Sequence, residues 1–594
     1  MKLSVLALDY DGTIASGDGL DPSVRAAISD ARTRGIIVLL VTGRILSELR
    51  RVAGDLHFVD GVVAENGAVV HFPESGHTSL LAPLVPAALR AGLTARGVPF
   101  QCGECLVDSQ ADQAVGILET IRTLELPLVL AFNRSRVMTL PQGVSKATGL
   151  RTALDMLRLS PRNMLAIGDA ENDHEMLRLA EVGAAVAWGS NALQAAADLT
   201  VAGTGTPAIA AYIRQIAASE KIPVVRQARR RLMLGHTEDG REFSLAVRGR
   251  NVLVTGDPKS GKSWVAGLLC EQLILHGYCV CVIDPEGDYR SLEALPGVTI
   301  LGGEDPPPTP RELLRALRYP DRSVVIDLSR VEQGPKIDYI RSVLPALNVM
   351  RRRTGLPHRI LVDEAHYFLH DAAAQRLLDF ETNGYTVVTY CASRLPPEML
   401  AATEVMLVTC ESNPAEVEAL RARCSTCQGV SAADWSLVGR IPIGQAVALP
   451  ITEESGGALR LFTLGGRLTP HVRHRQKYVD VPVTDHQAFV FTADGRSPVR
   501  ARTLRQFAAA LEALEARDRT EAGGHLRRGD FSRWIGDVFG DRALAGELRL
   551  QEQRYLRGEG RDTLPEMVGA IRSRYDLTEE LVDIGTTPSG AAST

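Results

Sequence analysis

The chain reads as an α/β protein in which two modules built on parallel sheets are followed by a small, mainly α C-terminal domain. Three observations predict this. Short apolar runs that end in acidic or hydroxyl residues recur near the N-terminus (LSVLALD at 3–9, IIVLLVT at 36–42, NMLAIGD at 163–169) and again in the middle (RNVLVT at 250–255, VID at 282–284, RILVDE at 359–364). Runs of that length read as buried strands, and open α/β sheets keep their chemistry at such strand ends. From about residue 503 the pattern changes to charged sequence of helical period. Finally, 594 residues exceed what one hydrophobic core serves, so about three domains are expected, at 1–215, 220–465 and 470–594.

Composition excludes several classes. Hydrophobic content of 45% and charged content of 23% match an ordinary globular protein, and no apolar run approaches the roughly 20 residues that span a bilayer. The opening MKLSVLALD is too short and too quickly acidic for a secretory signal, so a cytoplasmic location is expected. The nine cysteines form no dense framework, and those in strand-like runs such as Cys279 and Cys281 read as core. Two CxxC spacings, Cys102/Cys105 and Cys424/Cys427, lie more than a domain apart and are not expected to share a metal. Net charge of −5 lacks the basic excess that drives nucleic-acid affinity. The clusters RQARRR (226–231) and RRR (351–353) read as solvated helix faces.

In the first module, DYDGT (9–13), TGR (42–44) and GDAEND (168–173) each follow a strand, so carboxylates and a hydroxyl converge on one sheet edge. Hydrolysis of a phosphate monoester with Mg²⁺ needs a nucleophile, a proton donor, an oxygen cage and a cation against the phosphoryl charge. Every role has a candidate here. The order DxDGT, threonine, lysine, GDxxND resembles the haloacid dehalogenase superfamily over about residues 1–215, which implies a Rossmann-like phosphatase domain. Under that resemblance Asp9 is the nucleophile, Asp11 the general acid and base, and Thr42 and Lys146 hold the phosphoryl oxygens. Asp169 and Asp173 complete a Mg²⁺ site with Asp9 and the backbone carbonyl of Asp11. ENGA (65–68) and GVSKATGL (143–150) are similar to the Cof-like branch, which includes sucrose-phosphate and archaeal phosphoglycolate phosphatases. That branch places its cap between the threonine and the lysine, here about 75–138, which implies a small α+β cap.

The central module carries GDPKSGKS (256–263) directly after a strand. Glycine-rich backbone amides and the next helix N-terminus cradle nucleotide phosphates in such a loop. Gly256, Lys259, Ser260 and Gly261 form it, Lys262 reaches the phosphates and Ser263 ligates Mg²⁺. VDEAH (362–366) reads as the matching acidic strand end, with Asp363 supporting Mg²⁺ and Glu364 polarising water. Together with DPEGDY (284–289) these motifs resemble the HerA and type IV secretion ATPases over about 234–449, with a β lead-in at 234–245 and a closing strand at 443–449. The resemblance implies a RecA-like P-loop ATPase that binds ATP and forms a homo-oligomer, generally a hexamer, with an arginine from a neighbour; Arg421 and Arg423 are candidates. The family's sensor strand commonly ends in glutamine, whereas Ser393 stands at the matching place here, and the stretch between the two motifs is short for a DNA-pumping member.

The C-terminal domain names no activity. Phe531 and Trp534 read as core, HVRHR (471–475) as a linker or an anion contact, and residues 586–594 as a disordered tail. The leading expectation is a Mg²⁺-dependent phosphomonoester hydrolase joined to an ATPase, acting on a small phosphorylated metabolite or nucleotide. Three alternatives stay open: a DNA- or RNA-processing or defence machine with nucleic acid as partner, a kinase-phosphatase pair, and a nucleotide-sensing oligomeric platform for the phosphatase.

Overall fold

Period-two burial on both faces of nearly every central strand sets the architecture. In Val5–Asp9, Leu6 and Leu8 point into one apolar layer while Val5 and Ala7 point into another. Such a strand must be covered on both sides, which is the condition for a parallel sheet with helices on each face. The computed structural model describes residues 1–17, 19–225, 229–247, 250–370, 377–423, 432–449, 459–470, 483, 487–491, 499–517, 519–539, 541–559 and 562–575. These fall into two compact units, Met1–His471 and Val472–Thr594.

The first unit holds two large sheets. One has eight strands in the order Leu199–Val201, Val182–Val186, Met164–Gly168, Val5–Asp9, Ile37–Val41, Gly61–Ala64, Val69–Phe72 and His77–Leu80, parallel through Gly61–Ala64 and antiparallel thereafter. Helices Pro22–Thr33 and Gly205–Ser219 cover one face, and Lys146–Leu157 and His174–Leu179 the other. A separate antiparallel sheet of four strands, Leu128–Asn133, Arg136–Pro141, Val107–Gln110 and Gln101–Cys102, packs helices Ala87–Ala95 and Ala114–Thr123 through Leu89, Leu93, Ile117, Ile121 and Val137. This is the cap. It begins past Leu80 instead of near residue 75, because His77–Leu80 extends the main sheet. Buried Glu65 ties its entry down by accepting the backbone N–H groups of Glu104 (3.0 Å) and Cys105 (2.8 Å).

The other sheet has eleven strands. Its parallel centre runs Val405–Val408, Val252–Thr255, Tyr385–Thr389, Arg359–Val362, Val280–Asp284, Ser323–Asp327, Val298–Gly302, flanked by the antiparallel strands Gln445–Leu449, Arg460–Leu464, Arg231–Thr237 and Glu242–Ala246. The expected lead-in and closing strands are therefore the antiparallel edge of this sheet.

Within each basic cluster some arginines have a structural use, while Arg352 and Arg353 stay exposed on their helix as expected. Arg229 donates to Leu177 O (2.9 Å) and Asp198 (2.5 Å), and Arg230 to Arg178 O (2.9 Å), which fastens the chain between the sheets to the first of them. Arg351 is buried against Asn383 and the Tyr385 ring, and Arg352 pairs with Asp379 at 2.6 Å. Carbonyl oxygens left over at loop and helix ends draw these guanidinium groups inward. The residues 226–228 lie outside the described residues, as do Cys424, Cys427, 471–475 and 586–594.

Among the described residues, the C-terminal unit pairs Phe489–Phe491 antiparallel with Val499–Ala501 and has five α-helices between Leu504 and Tyr575. Phe489, Phe507, Phe531 and Trp534 form its aromatic core, and Trp534 Nε1 donates to Gln487 O at 2.7 Å. No helix among the described residues is long and apolar enough to cross a membrane.

Candidate active sites

Parallel register brings the acidic motifs of the first sheet to one edge. Asp9 pairs with Val41, so Thr42 follows at the same level, and Leu8 pairs with Ile167, so Gly168 and Asp169 follow on the other side. Lys146 enters from the first turn of its helix, whose N-cap Ser145 accepts from Thr148 N. That helix comes close because of two glycines: a Cβ on Gly149 would sit 2.5 Å from Gly67 Cα, and one on Gly67 1.9 Å from Ser145 O.

Lys146 Nζ donates to Asp9 Oδ1 (2.6 Å) and Asp173 Oδ1 (2.7 Å), all three groups being buried. Asp173 Oδ2 accepts the N–H groups of Asp169 (3.0 Å) and Ala170 (3.1 Å), which fixes the loop. Burial, and then the Asp173 charge, push Asp9 well above the usual carboxylate range and Asp169 up to about 6. The two carboxylates flanking Lys146 raise it above the ordinary lysine value despite burial, so it stays charged. Asp9, Asp169 and Asp173 each offer an oxygen within 4.8 Å of the others, and Asp9 Oδ2 is buried with no hydrogen-bond partner. Three buried hard-oxygen ligands that outnumber the adjacent lysine fit a divalent cation such as Mg²⁺.

Asp11 and Thr42 stand at the rim of this set. Arg44 grips Asp11 through Nη2 (2.7 Å) and Nε (2.9 Å), and Thr42, fully buried, accepts Arg44 N at 3.1 Å. Trp188 Nε1 donates to Gly12 O (2.8 Å), holding the DYDGT turn. Arg44 lay in plain view beside Thr42. Arg134, at the tip of the cap hairpin, carried no motif at all, yet its guanidinium contacts Asp169 Oδ2.

At the second sheet, the loop after Val252–Thr255 adopts the φ values of a phosphate cradle: 145° at Gly256, 69° at Lys259 and 108° at Gly261, the residue before helix Lys262–Leu275. Lys262 Nζ donates to Gly256 O (3.0 Å) and Asp257 O (2.8 Å). Ser260 Oγ donates to Asp257 O (2.7 Å) and meets Thr409 Oγ1 at 2.5 Å. Ser263 Oγ donates to Asp288 of the DPEGDY turn at 2.7 Å, and Asp284 holds that turn by accepting the N–H groups of Glu286, Gly287, Asp288 and Tyr289. Asp363 and Glu364, both buried, lie at the end of the adjacent Arg359–Val362 strand, Glu364 with a left-handed φ of 46°. Beside the loop, burial and the Asp257 charge push Glu411 up to about 8. A positively polarised helix start, a lysine and carboxylates beside Ser263 fit a nucleotide phosphate chain with its cation.

Ser393 lies elsewhere than the tip of its strand. The strand ends at Thr389, and Ser393 is exposed four residues on, donating its hydroxyl to Glu416. Thr389 holds the tip position and meets His366 Nδ1 at 3.2 Å, while that nitrogen lies 3.6 Å from Glu364 Oε2. Arg421 is exposed on helix Pro414–Arg423, and the Arg423 side chain lies outside the described residues.

Comparison with known proteins follows this division. Residues 6–82 and 104–213 match the family of haloacid dehalogenase-like hydrolases, and 249–337 match the central domain of helicase HerA. The gap between 82 and 104 coincides with the start of the cap. A phosphoglycolate phosphatase of Halorubrum lacusprofundi is 30% identical over 234 residues, 35% of this chain and 96% of that protein. Another, of Natronomonas pharaonis, is 30% identical over 203 residues, 32% of this chain and 88% of that protein. Among solved structures, a haloacid dehalogenase-like hydrolase from Bacteroides thetaiotaomicron shares 18% identity at a TM-score of 0.31, covering 36% of this chain and 100% of that one. Through its N-terminal module, with the HerA-like domain fused behind it, the chain belongs to the haloacid dehalogenase-like hydrolase family.

Proposed function

We propose that the protein is a two-site phosphate enzyme, a Mg²⁺-dependent phosphomonoester hydrolase over 1–215 and an ATPase over 220–465, with a C-terminal domain of separate role over 470–594. The observation that carries it is Lys146 held between Asp9 and Asp173 with Asp169 alongside. Asp9 attacks phosphorus and forms an aspartyl-phosphate while Asp11, protonated once it leaves the Arg44 fork that holds it in this structure, passes its proton to the leaving oxygen. Asp11 then takes a proton from water, whose oxygen attacks the phosphoryl group, releasing phosphate and restoring Asp9. Lys146 and Thr42 hold the phosphoryl oxygens. Asp9, Asp169, Asp173 and the Asp11 carbonyl would hold Mg²⁺, which would supply the remaining positive charge against the phosphoryl group. The names of the archaeal relatives support phosphoglycolate as the substrate.

In the ATPase, Gly256, Lys259, Ser260, Gly261 and Lys262 bind phosphates, Ser263 and Asp363 serve the cation, and Glu364 orients water. Thr389 takes the sensing place expected of Ser393, because His366 connects it to Glu364. The HerA match favours one further reading, a homo-oligomer acting on nucleic acid.

The test is phosphate release from phosphoglycolate and from ATP by wild type, Asp9→Asn and Lys262→Ala. Asp9→Asn is expected to lose monoester turnover by at least about 10³-fold and Lys262→Ala to lose ATP turnover, each sparing the other activity. Folded wild-type protein that hydrolyses neither substrate with Mg²⁺ sinks the proposal; ATP turnover raised severalfold by DNA at low salt moves the nucleic-acid reading forward.

A further inference from the structure

We propose that Arg134 reads a second anionic group on the phosphatase substrate, and that it holds Asp169 only until a divalent cation takes that place. The proposal rests on the phosphatase reading and deepens it.

Arg134 sits in the turn between cap strands Leu128–Asn133 and Arg136–Pro141, with a φ of 53° that non-glycine residues seldom adopt. Its backbone N–H approaches Glu171 of the GDAEND loop at 3.4 Å, so the cap tip touches the main domain at the loop that bears Asp169 and Asp173. The Arg134 side chain is 56% exposed, whereas the Asp169 carboxylate it contacts is 1% exposed. The guanidinium thus reaches from solvent to a buried acid. It passes over Gly12, where a Cβ would lie 3.0 Å from Nη2.

Charge explains what comes next. Without a cation, three buried carboxylates face Lys146 alone, and Arg134 supplies a second positive charge. A divalent cation on the same oxygens removes the attraction and competes for Asp169 directly. The arginine is then released beside the loop that bears Asp169 and Asp173. Its planar fork suits a carboxylate taken bidentately. The substrate class is accordingly a short molecule that carries a carboxylate next to its phosphate ester, and an uncharged alkyl phosphate leaves the fork unpaired.

Two measurements on the full chain test this. Calorimetric titration with Mg²⁺ alone is expected to give several-fold tighter binding to Arg134→Ala than to wild type, because the competing cation is gone; equal or weaker binding overturns the gating role. Selectivity is the ratio of kcat/KM for phosphoglycolate to that for ethyl phosphate, which has the same chain length and no carboxylate. It is expected to fall roughly tenfold to a hundredfold in Arg134→Ala, mainly through KM, with Arg134→Lys between the two. An unchanged ratio overturns the reading role. Wild type that hydrolyses neither ester overturns the phosphatase reading itself, an outcome distinct from an unchanged ratio.

Discussion

Gly12 shows how a single residue can decide the first site. Its φ of 78° is left-handed, and a Cβ there would lie 2.3 Å from Asp169 Oδ2. Gly12→Ala therefore strains the turn and pushes away a proposed metal ligand. It is expected to cut phosphomonoester turnover by at least about a hundredfold while ATP turnover stays at the wild-type level, measured side by side on one preparation. Retained phosphatase activity would show that Asp169 tolerates displacement. At this scale the sequence was legible where chemistry and spacing coincide: Asp9, Lys146 and the Asp169/Asp173 pair are far apart in the chain, yet each belongs to a short motif tied to a strand end or helix start. Arg134 was not legible, because its importance comes from a contact 35 positions away across a cap hairpin that has no motif of its own. Ser393 stands four residues beyond the strand end at Thr389, an offset that motif spacing alone does not set.

Among elements, the seam between the two sheets of the first unit was invisible to sequence reading, since it is made of residues with no shared pattern. Asn163, which precedes strand Met164–Gly168, accepts from Ser4 N (2.9 Å), donates to Lys2 O (2.9 Å) and meets His358 Nε2 at 3.0 Å. His358 in turn accepts Cys279 N at 2.8 Å, joining the Arg359–Val362 and Val280–Asp284 strands. Tyr278 OH donates to Glu181 (2.8 Å), which Arg162 and Arg230 both approach at 3.5 Å. Burial, followed by the Arg162 and Arg351 charges, lowers His358 to about 3. The unfolded chain takes up a proton below its ordinary value near 6.5 and the folded chain does not, so this group leaves stability unaffected above 6.5 and subtracts from it as pH falls toward 3. The slope is about 1.4 kcal/mol per pH unit in that window. Urea unfolding at pH 7 and pH 5 is expected to show that loss in wild type and a smaller one in His358→Gln. Equal losses would mean that other groups carry the acid sensitivity.

At the scale of the whole first unit, the seam lies at the N-terminal ends of strands in both sheets, and both candidate sites lie at C-terminal ends. The two edges that carry the candidate sites therefore face away from each other. Each central strand has four or five residues, so at about 3.3 Å per residue the sites are separated by roughly 30 Å or more. This geometry disfavours a kinase and phosphatase passing one substrate between them, and it favours communication through stability. Buried hydrogen bonds and ion pairs bind the two sheets into one unit, so opening one exposes the partners of the other. A nucleotide bound at Lys262 is then expected to protect strands Val5–Asp9 and Met164–Gly168 as well as its own module. The linkage amounts to about 2.7 kcal/mol at a nucleotide concentration a hundredfold above Kd. Hydrogen exchange with and without Mg²⁺ and a non-hydrolysable ATP analogue checks this, with Lys262→Ala as the control that binds no nucleotide. Protection confined to 230–465 would show that the modules open independently and that the seam only tethers them. Protection that reaches the Asp9 strand in wild type and disappears when Tyr278→Phe is combined with His358→Gln would assign the coupling to the seam itself.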